Sequence, residues 1–114
     1  MIRTALVFSV LVTSALAAPP EGADPALAPW YRSLTQPGTG WLCCSLADCR
    51  PVVTRERDGK LEAFIDRKAF PDGTDEWVEV PEKVILHGKD NPTGEPVACW
   101  FEQAIRCFTP ASGT

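Results

Sequence analysis

Five cysteines in a short chain constrain this protein more than any other feature of its sequence. They are Cys43, Cys44, Cys49, Cys99 and Cys107, so three lie within seven residues and two lie near the C-terminus. Because five is an odd number, at most two disulfides can form within one chain, and one thiol is left over. Five choices of the free thiol and three pairings of the other four leave fifteen connectivities open.

The start of the chain is typical of an export signal. Arg3 precedes an apolar run from Ala5 to Val12, and small residues follow up to Ala17. Cleavage after Ala17 would leave about 97 of the 114 residues. The apolar run is too short for a permanent anchor, and no second one follows, so we predict a periplasmic or secreted mature form without a transmembrane anchor. Such compartments are oxidising and favour disulfides.

Length and charge exclude several classes of protein. The mature chain has room for a single domain, with a small core that needs cross-links for stability. Removal of Arg3 with the signal changes the formal net charge from -4 to -5, which disfavours a nucleic-acid partner.

We divide the chain into four segments. Residues 1–17 are the predicted signal, residues 18–28 an extended Pro/Ala-rich arm, residues 29–110 a single small disulfide-stabilised domain, and residues 111–114 a flexible tail. Helical spacing of apolar residues predicts a short amphipathic helix near residues 29–35. Pro29 is expected to interrupt any helical turn that begins upstream.

The rest of the domain has mostly β character. Asp58-Gly59 separates two β-favouring runs, Val52–Arg57 and Lys60–Asp66, and predicts a hairpin. Residues 76–80 alternate as a strand, and residues 81–86 suit either a helical turn or a strand. A second hairpin is predicted from residues 97–101 and 105–109 with the connection 102–104. The predicted fold is therefore a small α+β domain, mostly β, with a short N-terminal helix, two β-hairpins and disulfide staples.

The cysteine-rich block at residues 43–49 lacks periodicity, so we predict a compact loop there. If the second hairpin turns about Gln103, then Cys99 and Cys107 lie opposite each other, and they either bond to each other or together face this block. We favour at least one disulfide from the block to the hairpin. It would close a loop of about fifty residues, which is worth roughly 4 kcal/mol of stability.

Two other uses of the cysteines stay open. Cys43, Cys44 and Cys49, together with the only histidine, His87, offer soft ligands for a metal ion, although their spacing matches no known zinc pattern. The unpaired thiol could instead serve a redox role or link two chains into a covalent dimer.

No catalytic motif is present. The sequence lacks a G-x-S-x-G segment, a C-x-x-C pair and a Gly-rich phosphate loop after a strand, and His87 lies in a segment typical of an exposed turn. We therefore predict a non-enzymatic binding or accessory protein without a cofactor, monomeric apart from the possible covalent dimer. Its partner would be a protein, a peptide or a glycan.

Aromatic residues are the best candidates for a ligand surface. Small disulfide-rich domains use tryptophan as core filler, but aromatic rings also stack on ligands. Trp30, Tyr31 and Trp41 are the preferred surface candidates because they lie outside the strand pattern.

Several short motifs together resemble a family of small, exported, cysteine-rich alphaproteobacterial proteins of unknown function. The motifs cover nearly the whole mature chain: Trp30-Tyr31-x-Ser33-Leu34, Cys43-Cys44-x3-Asp48-Cys49-Arg50-Pro51-Val52, Trp77-Val78-x-Val80-Pro81, Asn91-Pro92-Thr93-Gly94, Cys99-Trp100 and Cys107-Phe108-x-Pro110. The resemblance implies a periplasmic or secreted location and a shared cysteine framework. It implies no catalytic residue or ligand.

Overall fold

The computed structural model describes residues 25–111. The predicted export signal, residues 18–24 of the predicted arm and the last three residues of the predicted tail lie outside this range. Within it, no helix is both long enough and apolar enough to cross a membrane. The regular elements are two short helices, α1 (Ala28–Ser33) and α2 (Cys43–Leu46), and six strands: β1 (Asp48–Pro51), β2 (Thr54–Arg57), β3 (Lys60–Ile65), β4 (Glu76–Glu79), β5 (Val97–Phe101) and β6 (Ala104–Thr109).

The predicted N-terminal helix is present but begins earlier than expected. A 3₁₀ turn over Pro25–Leu27 leads directly into α1, so residues 25–28 are helical and not extended. The expectation that Pro29 interrupts the helix is wrong, because Pro29 lies in the first turn of α1. At that position a helix needs no backbone N–H, and the fixed φ of proline suits the helix.

Strands β2, β3 and β4 form one antiparallel sheet. Its first turn is the predicted Asp58-Gly59 pair, whose φ angles are 53° and 74°. Two successive positive φ angles give the turn a twist that matches the flanking strands. The predicted strand at residues 76–80 is observed as β4, which pairs with β3 through Phe64 opposite Trp77.

The second hairpin closes more tightly than predicted. Its connection is two residues, Glu102 and Gln103, with φ angles of 49° and 60°, and Ala104 already belongs to β6. A bulge between Cys99 and Trp100 adds one residue to the register, and Cys99 therefore still lies opposite Cys107. The predicted opposition of the two cysteines is confirmed, although the predicted three-residue connection is not.

The cysteine-rich block is more regular than the predicted loop. It consists of the helical turn α2 followed by β1, which pairs with β5 in a second antiparallel sheet of order β1-β5-β6. Because the partner of β1 lies about fifty residues away in sequence, local periodicity could not indicate this strand. Of the two possibilities for residues 81–86, the structure has the helical turn, a 3₁₀ helix over Glu82–Val84.

Strand β5 is buried on both faces and separates two apolar clusters. Its alternate residues Val97 and Cys99 pack with α1 and α2, whereas Ala98 and Trp100 pack toward β3 and the segment after β4. Side chains alternate between the two faces of a strand, so one short strand serves both clusters. The predicted fold class, a small, mostly β domain stapled by disulfides, is confirmed.

Candidate functional site

Two disulfides join the cysteine block to the second hairpin. Cys43 in α2 bonds to Cys107 in β6, and Cys49 in β1 bonds to Cys99 in β5. Cys49, Cys99 and Cys107 occupy one row across the sheet, since Cys49 lies opposite Cys99 and Cys99 opposite Cys107. The two hairpin cysteines therefore face the block together and do not bond to each other. The predicted disulfide link between the cysteine-rich block and the second hairpin is confirmed, and the structure has two such disulfides.

Three of the four disulfide sulfur atoms come together in the core. The Sγ atoms of Cys43, Cys99 and Cys107 all lie within 4.8 Å of one another. Within residues 25–111 this is the one set of three or more cysteine, histidine or carboxylate ligand atoms that converges in this way. The predicted ligand set of Cys43, Cys44, Cys49 and His87 is not assembled, because two of its cysteines are in disulfides and His87 lies elsewhere.

His87 is exposed, as predicted. Its Nε2 lies 2.7 Å from Oε1 of Glu82, and both side chains are mostly in solvent. Glu82 is the first residue of the 3₁₀ turn, and His87 follows the turn by three residues. His87 also lines an open depression of about 450 Å³ together with Thr35 and Lys89.

Cys44 is the free thiol, and its surroundings disfavour the thiolate form. Its side chain is half-buried, and its Sγ donates a hydrogen bond to the backbone oxygen of Tyr31 at 3.3 Å. Burial raises the pKa of the Cys44 thiol, the Asp48 carboxylate raises it further, and only Arg50 opposes them. A raised pKa lowers the fraction of reactive thiolate, which disfavours a redox role for this cysteine.

The three aromatic candidates for a ligand surface separate in the structure. Tyr31 is only 8% exposed and packs with Leu34 in the core, which corrects its assignment to a ligand surface. Trp30 is half-buried against it at 5.0 Å between ring centroids, and its Nε1 donates a hydrogen bond to the backbone oxygen of Asp90. The rings of Trp30 and Tyr31 pack inward because the side of helix α1 that carries them faces the apolar cluster around Leu34. Only Trp41 is strongly exposed, at 64%.

Trp41 lies beside apolar side chains from two other elements. With Leu46 of α2 and Phe101 of β5 it lines an open depression of about 270 Å³. Four residues with polar side chains complete the lining: Gln36, Thr39, Glu102 and Arg106. We call these seven residues the Trp41 surface. Leu46 and Phe101 also line a neighbouring depression of about 350 Å³ that includes Cys44 and Asp48.

The loop that carries Trp41 is held by hydrogen bonds at both ends and across its middle. The backbone N–H of Gln36 donates to the oxygen of Trp41 at 2.7 Å, and the N–H of Gly40 donates to the oxygen of Gln36 at 3.0 Å. The Thr39 hydroxyl donates to Oε1 of Gln36 and accepts from the N–H of Trp41. Nε2 of Gln36 then donates to the Arg106 oxygen of β6 at 2.9 Å, so the loop is tied to the sheet.

Sequence reasoning missed Phe101 as a member of this surface. Residues 97–101 are an uninterrupted apolar run, which predicts a buried strand and does not say which residue emerges. In the structure the first four are buried and Phe101 is 48% exposed. Its position directly before a tight turn was the available signal, because strand ends at turns lie at the surface.

Comparison with known proteins adds no assignment. No protein-family model, curated protein or solved structure matches this chain. Membership in the cysteine-rich exported family therefore stays a prediction, and the function of the Trp41 surface follows from its own geometry.

Proposed function

We propose that this chain is an exported, non-enzymatic binding module of the periplasm or the extracellular space, and that its ligand is a neutral glycan stacked on Trp41. The predicted signal sequence and the two disulfides support export to an oxidising compartment. The raised pKa of Cys44 and the solvent exposure of the His87–Glu82 pair favour binding over catalysis.

The exposed indole of Trp41 is the observation that carries this proposal. Large aromatic side chains left in water are unfavourable, and together with Phe101 and Leu46 this one forms a continuous apolar face. The hydrogen bonds within residues 36–41 already order the loop, so little conformational entropy remains to be lost when a ligand binds. An exposed aromatic ring on an ordered backbone is suited to stacking against a flat ligand face.

The polar part of the surface favours an uncharged ligand. The guanidinium of Arg106 lies near the Glu102 carboxylate, with Nη2 to Oε2 at 3.9 Å, so the two formal charges offset each other. Gln36 and Thr39 add amide and hydroxyl groups around the ring. A ring with one apolar face and several hydroxyl groups, such as a hexose, matches an aromatic platform surrounded by neutral hydrogen-bonding groups.

A peptide is a poorer fit because the neighbouring sheet edge is closed. An extended peptide binds most readily by adding a strand to a free edge. On the outer edge of β6, the oxygen of Arg106 accepts a hydrogen bond from Gln36 and the oxygen of Phe108 accepts one from the N–H of Leu86. These backbone acceptors are therefore not free to pair with a peptide strand.

Titration with neutral oligosaccharides tests the proposal. Tetrasaccharides of β-linked glucose and of β-linked N-acetylglucosamine would be added to the oxidised protein while tryptophan fluorescence and amide NMR shifts are followed. We expect saturable changes at the Trp41 surface that the Trp41→Ala variant loses. Val53→Ala is the matched control, because Val53 is an exposed apolar residue (68%) outside this surface.

Other outcomes would contradict the proposal at different points. If no glycan binds and a displayed peptide library yields ligands that need Trp41, the ligand is a peptide and the proposed glycan is wrong. Substrate turnover that is lost on His87→Ala would overturn the non-enzymatic assignment.

Export has its own measurement. The intact mass of the exported protein should correspond to a chain beginning at Ala18, four hydrogens below the fully reduced value, because two disulfides form. One thiol, that of Cys44, should be alkylated after unfolding without reductant. A retained signal sequence or more than one reactive thiol would contradict the proposed location.

A further inference from the structure

We propose that the four cysteines of the two disulfides form, once reduced, a tetrahedral site for one thiophilic divalent cation of the zinc class. Cys43, Cys49, Cys99 and Cys107 come from four different elements, α2, β1, β5 and β6, and the sulfurs of three of them, Cys43, Cys99 and Cys107, converge in the core. Two separate disulfides do not require this convergence. The site is distinct from the Trp41 surface, so the test of one proposal does not depend on the outcome of the other.

The sulfur positions already approximate a metal cage. Zinc–sulfur bonds of about 2.3 Å place the sulfurs of a tetrahedral site about 3.8 Å apart. Three of the four sulfurs, from both disulfides, lie within 4.8 Å of one another. The fourth sulfur, of Cys49, is bonded to that of Cys99 at 2.03 Å and lies outside this set of three. After reduction, the sulfurs that were bonded at 2.11 and 2.03 Å must separate to about 3.8 Å, and the Cys49 sulfur must also approach those of Cys43 and Cys107.

Backbone contacts that do not involve the sulfurs position the four cysteines in the folded chain. Cys49 and Cys99 are register partners in β1 and β5, and Cys99 and Cys107 are register partners in β5 and β6. Cys43 is positioned by its N–H, which donates to the oxygen of Leu34 at 2.9 Å. These hydrogen bonds do not involve the sulfur atoms, so the reduced chain, when folded, would present the same four cysteines to the cation.

Burial disfavours free thiolates at this site, so the charged sulfurs need a bound cation. All four cysteines are at most 6% exposed and are surrounded by apolar side chains such as Leu34 and Val97. Free thiolates are unfavourable in such surroundings, so the thiols lose their protons only when the cation arrives. Soft thiolate ligands select zinc-class ions over magnesium or calcium, which require oxygen ligands.

The chemistry balances with a dithiol as the reductant. Two dithiol molecules each supply two electrons and two protons, each becomes a disulfide, and the two protein disulfides become four thiols. Binding of one divalent cation by four thiolates then releases four protons. The disulfide and metal forms use the same sulfurs and exclude each other, so metal occupancy follows the redox state.

Cobalt titration of the full chain tests the site. The protein is reduced without oxygen by a water-soluble phosphine, which supplies two electrons per disulfide and becomes the phosphine oxide. Co²⁺ is then added while thiolate-to-cobalt charge-transfer absorbance is followed. We expect saturation at one equivalent, displacement of cobalt by Zn²⁺, and no signal in the unreduced protein.

Variants and a folding measurement keep the test decisive. Cys44→Ser should bind cobalt as the parent protein does, whereas Cys107→Ser should bind at least tenfold more weakly. If reduction unfolds the chain, the cation should restore its circular dichroism spectrum at one equivalent. A signal that needs Cys44, a saturation above one equivalent, or no charge-transfer band in the reduced chain would overturn the proposal.

Discussion

Removal of either disulfide should destabilise the domain by less than the length of its loop suggests, because the two loops are nested. Cys43–Cys107 spans 64 residues and encloses Cys49–Cys99, which spans 50. As a lone cross-link, each would contribute about 4 kcal/mol by restricting the unfolded chain. With Cys49–Cys99 intact, however, the outer disulfide closes only the 14 residues by which the two spans differ.

This nesting sets the magnitudes. A loop of 14 residues corresponds to about 3 kcal/mol, and the same reasoning gives about 3 kcal/mol for the inner disulfide when the outer one is kept. Loss of both restores the full entropy of the open chain and should cost about 7 kcal/mol. The pair is therefore coupled by about 1 kcal/mol. Since small domains are stable by about 5–15 kcal/mol, each single loss is tolerated and the double loss leaves little folded protein.

Urea unfolding at 25 °C, followed by circular dichroism, measures these free energies. The variants are Cys43→Ala with Cys107→Ala, Cys49→Ala with Cys99→Ala, and all four together. Each pair should lower the unfolding free energy by about 3 kcal/mol and the melting temperature by roughly 15 °C. Cys44→Ala is the control and should change stability by less than about 1 kcal/mol. A quadruple variant that loses no more than the two pairs combined would refute the nested-loop reasoning.

Three further predictions follow from local contacts. Asn91→Ala should lower the free energy of unfolding, measured in urea, by about 3 kcal/mol, because the buried Nδ2 donates to two backbone oxygens at 2.8 Å. A loss below about 1 kcal/mol would show that water takes over these two hydrogen bonds. Gly73→Ala should lower the free energy of unfolding by more than about 2 kcal/mol, since the new Cβ would lie 2.5 Å from the Asp66 oxygen. The control is Gly94→Ala, whose Cβ has open space and which should lose only about 1 kcal/mol. Equal melting temperatures for the two variants would contradict the clash. Alkylation of Cys44 at pH 8, measured by mass spectrometry, should be slower in the folded protein than in the unfolded chain, because burial raises the pKa of the thiol. The rate in the folded protein should also keep rising with pH after an ordinary thiol has fully ionised. Equal rates in the folded and unfolded protein would contradict this prediction.

Features that depend on neighbouring residues were readable from the sequence. Asp58-Gly59 specifies its turn through the φ angles that these two residues tolerate, and the first hairpin forms where predicted. The number of cysteines limited the chain to two internal disulfides and one free thiol, which the structure has. The opposition of Cys99 and Cys107 was predicted from a turn about Gln103, and the bulge beside Cys99 preserved it although the turn was one residue shorter.

The candidate site was only partly readable. Trp41 was identified because it lies outside the strand pattern, yet the same criterion selected Tyr31, which is in the core. In the sequence, the Asn91-Pro92-Thr93-Gly94 segment stood out only as one of the short motifs of the family resemblance. Its Asn91 instead clamps two distant backbone segments, since its Nδ2 bonds to oxygens of Glu95 and Pro110. Those partners depend on the folded arrangement and leave no local pattern.

The sequence by itself therefore determined the fold class, the first hairpin and the limit of two disulfides within the chain, because each follows from backbone preferences, periodicity or simple counting. Only the tertiary structure decided which cysteines pair, which one stays free and which aromatic rings face water. These outcomes depend on residues about 50 positions apart being brought together by the pairing of β1 with β5. Propensity acts over a few residues, whereas such a contact is set by the packing of the whole core.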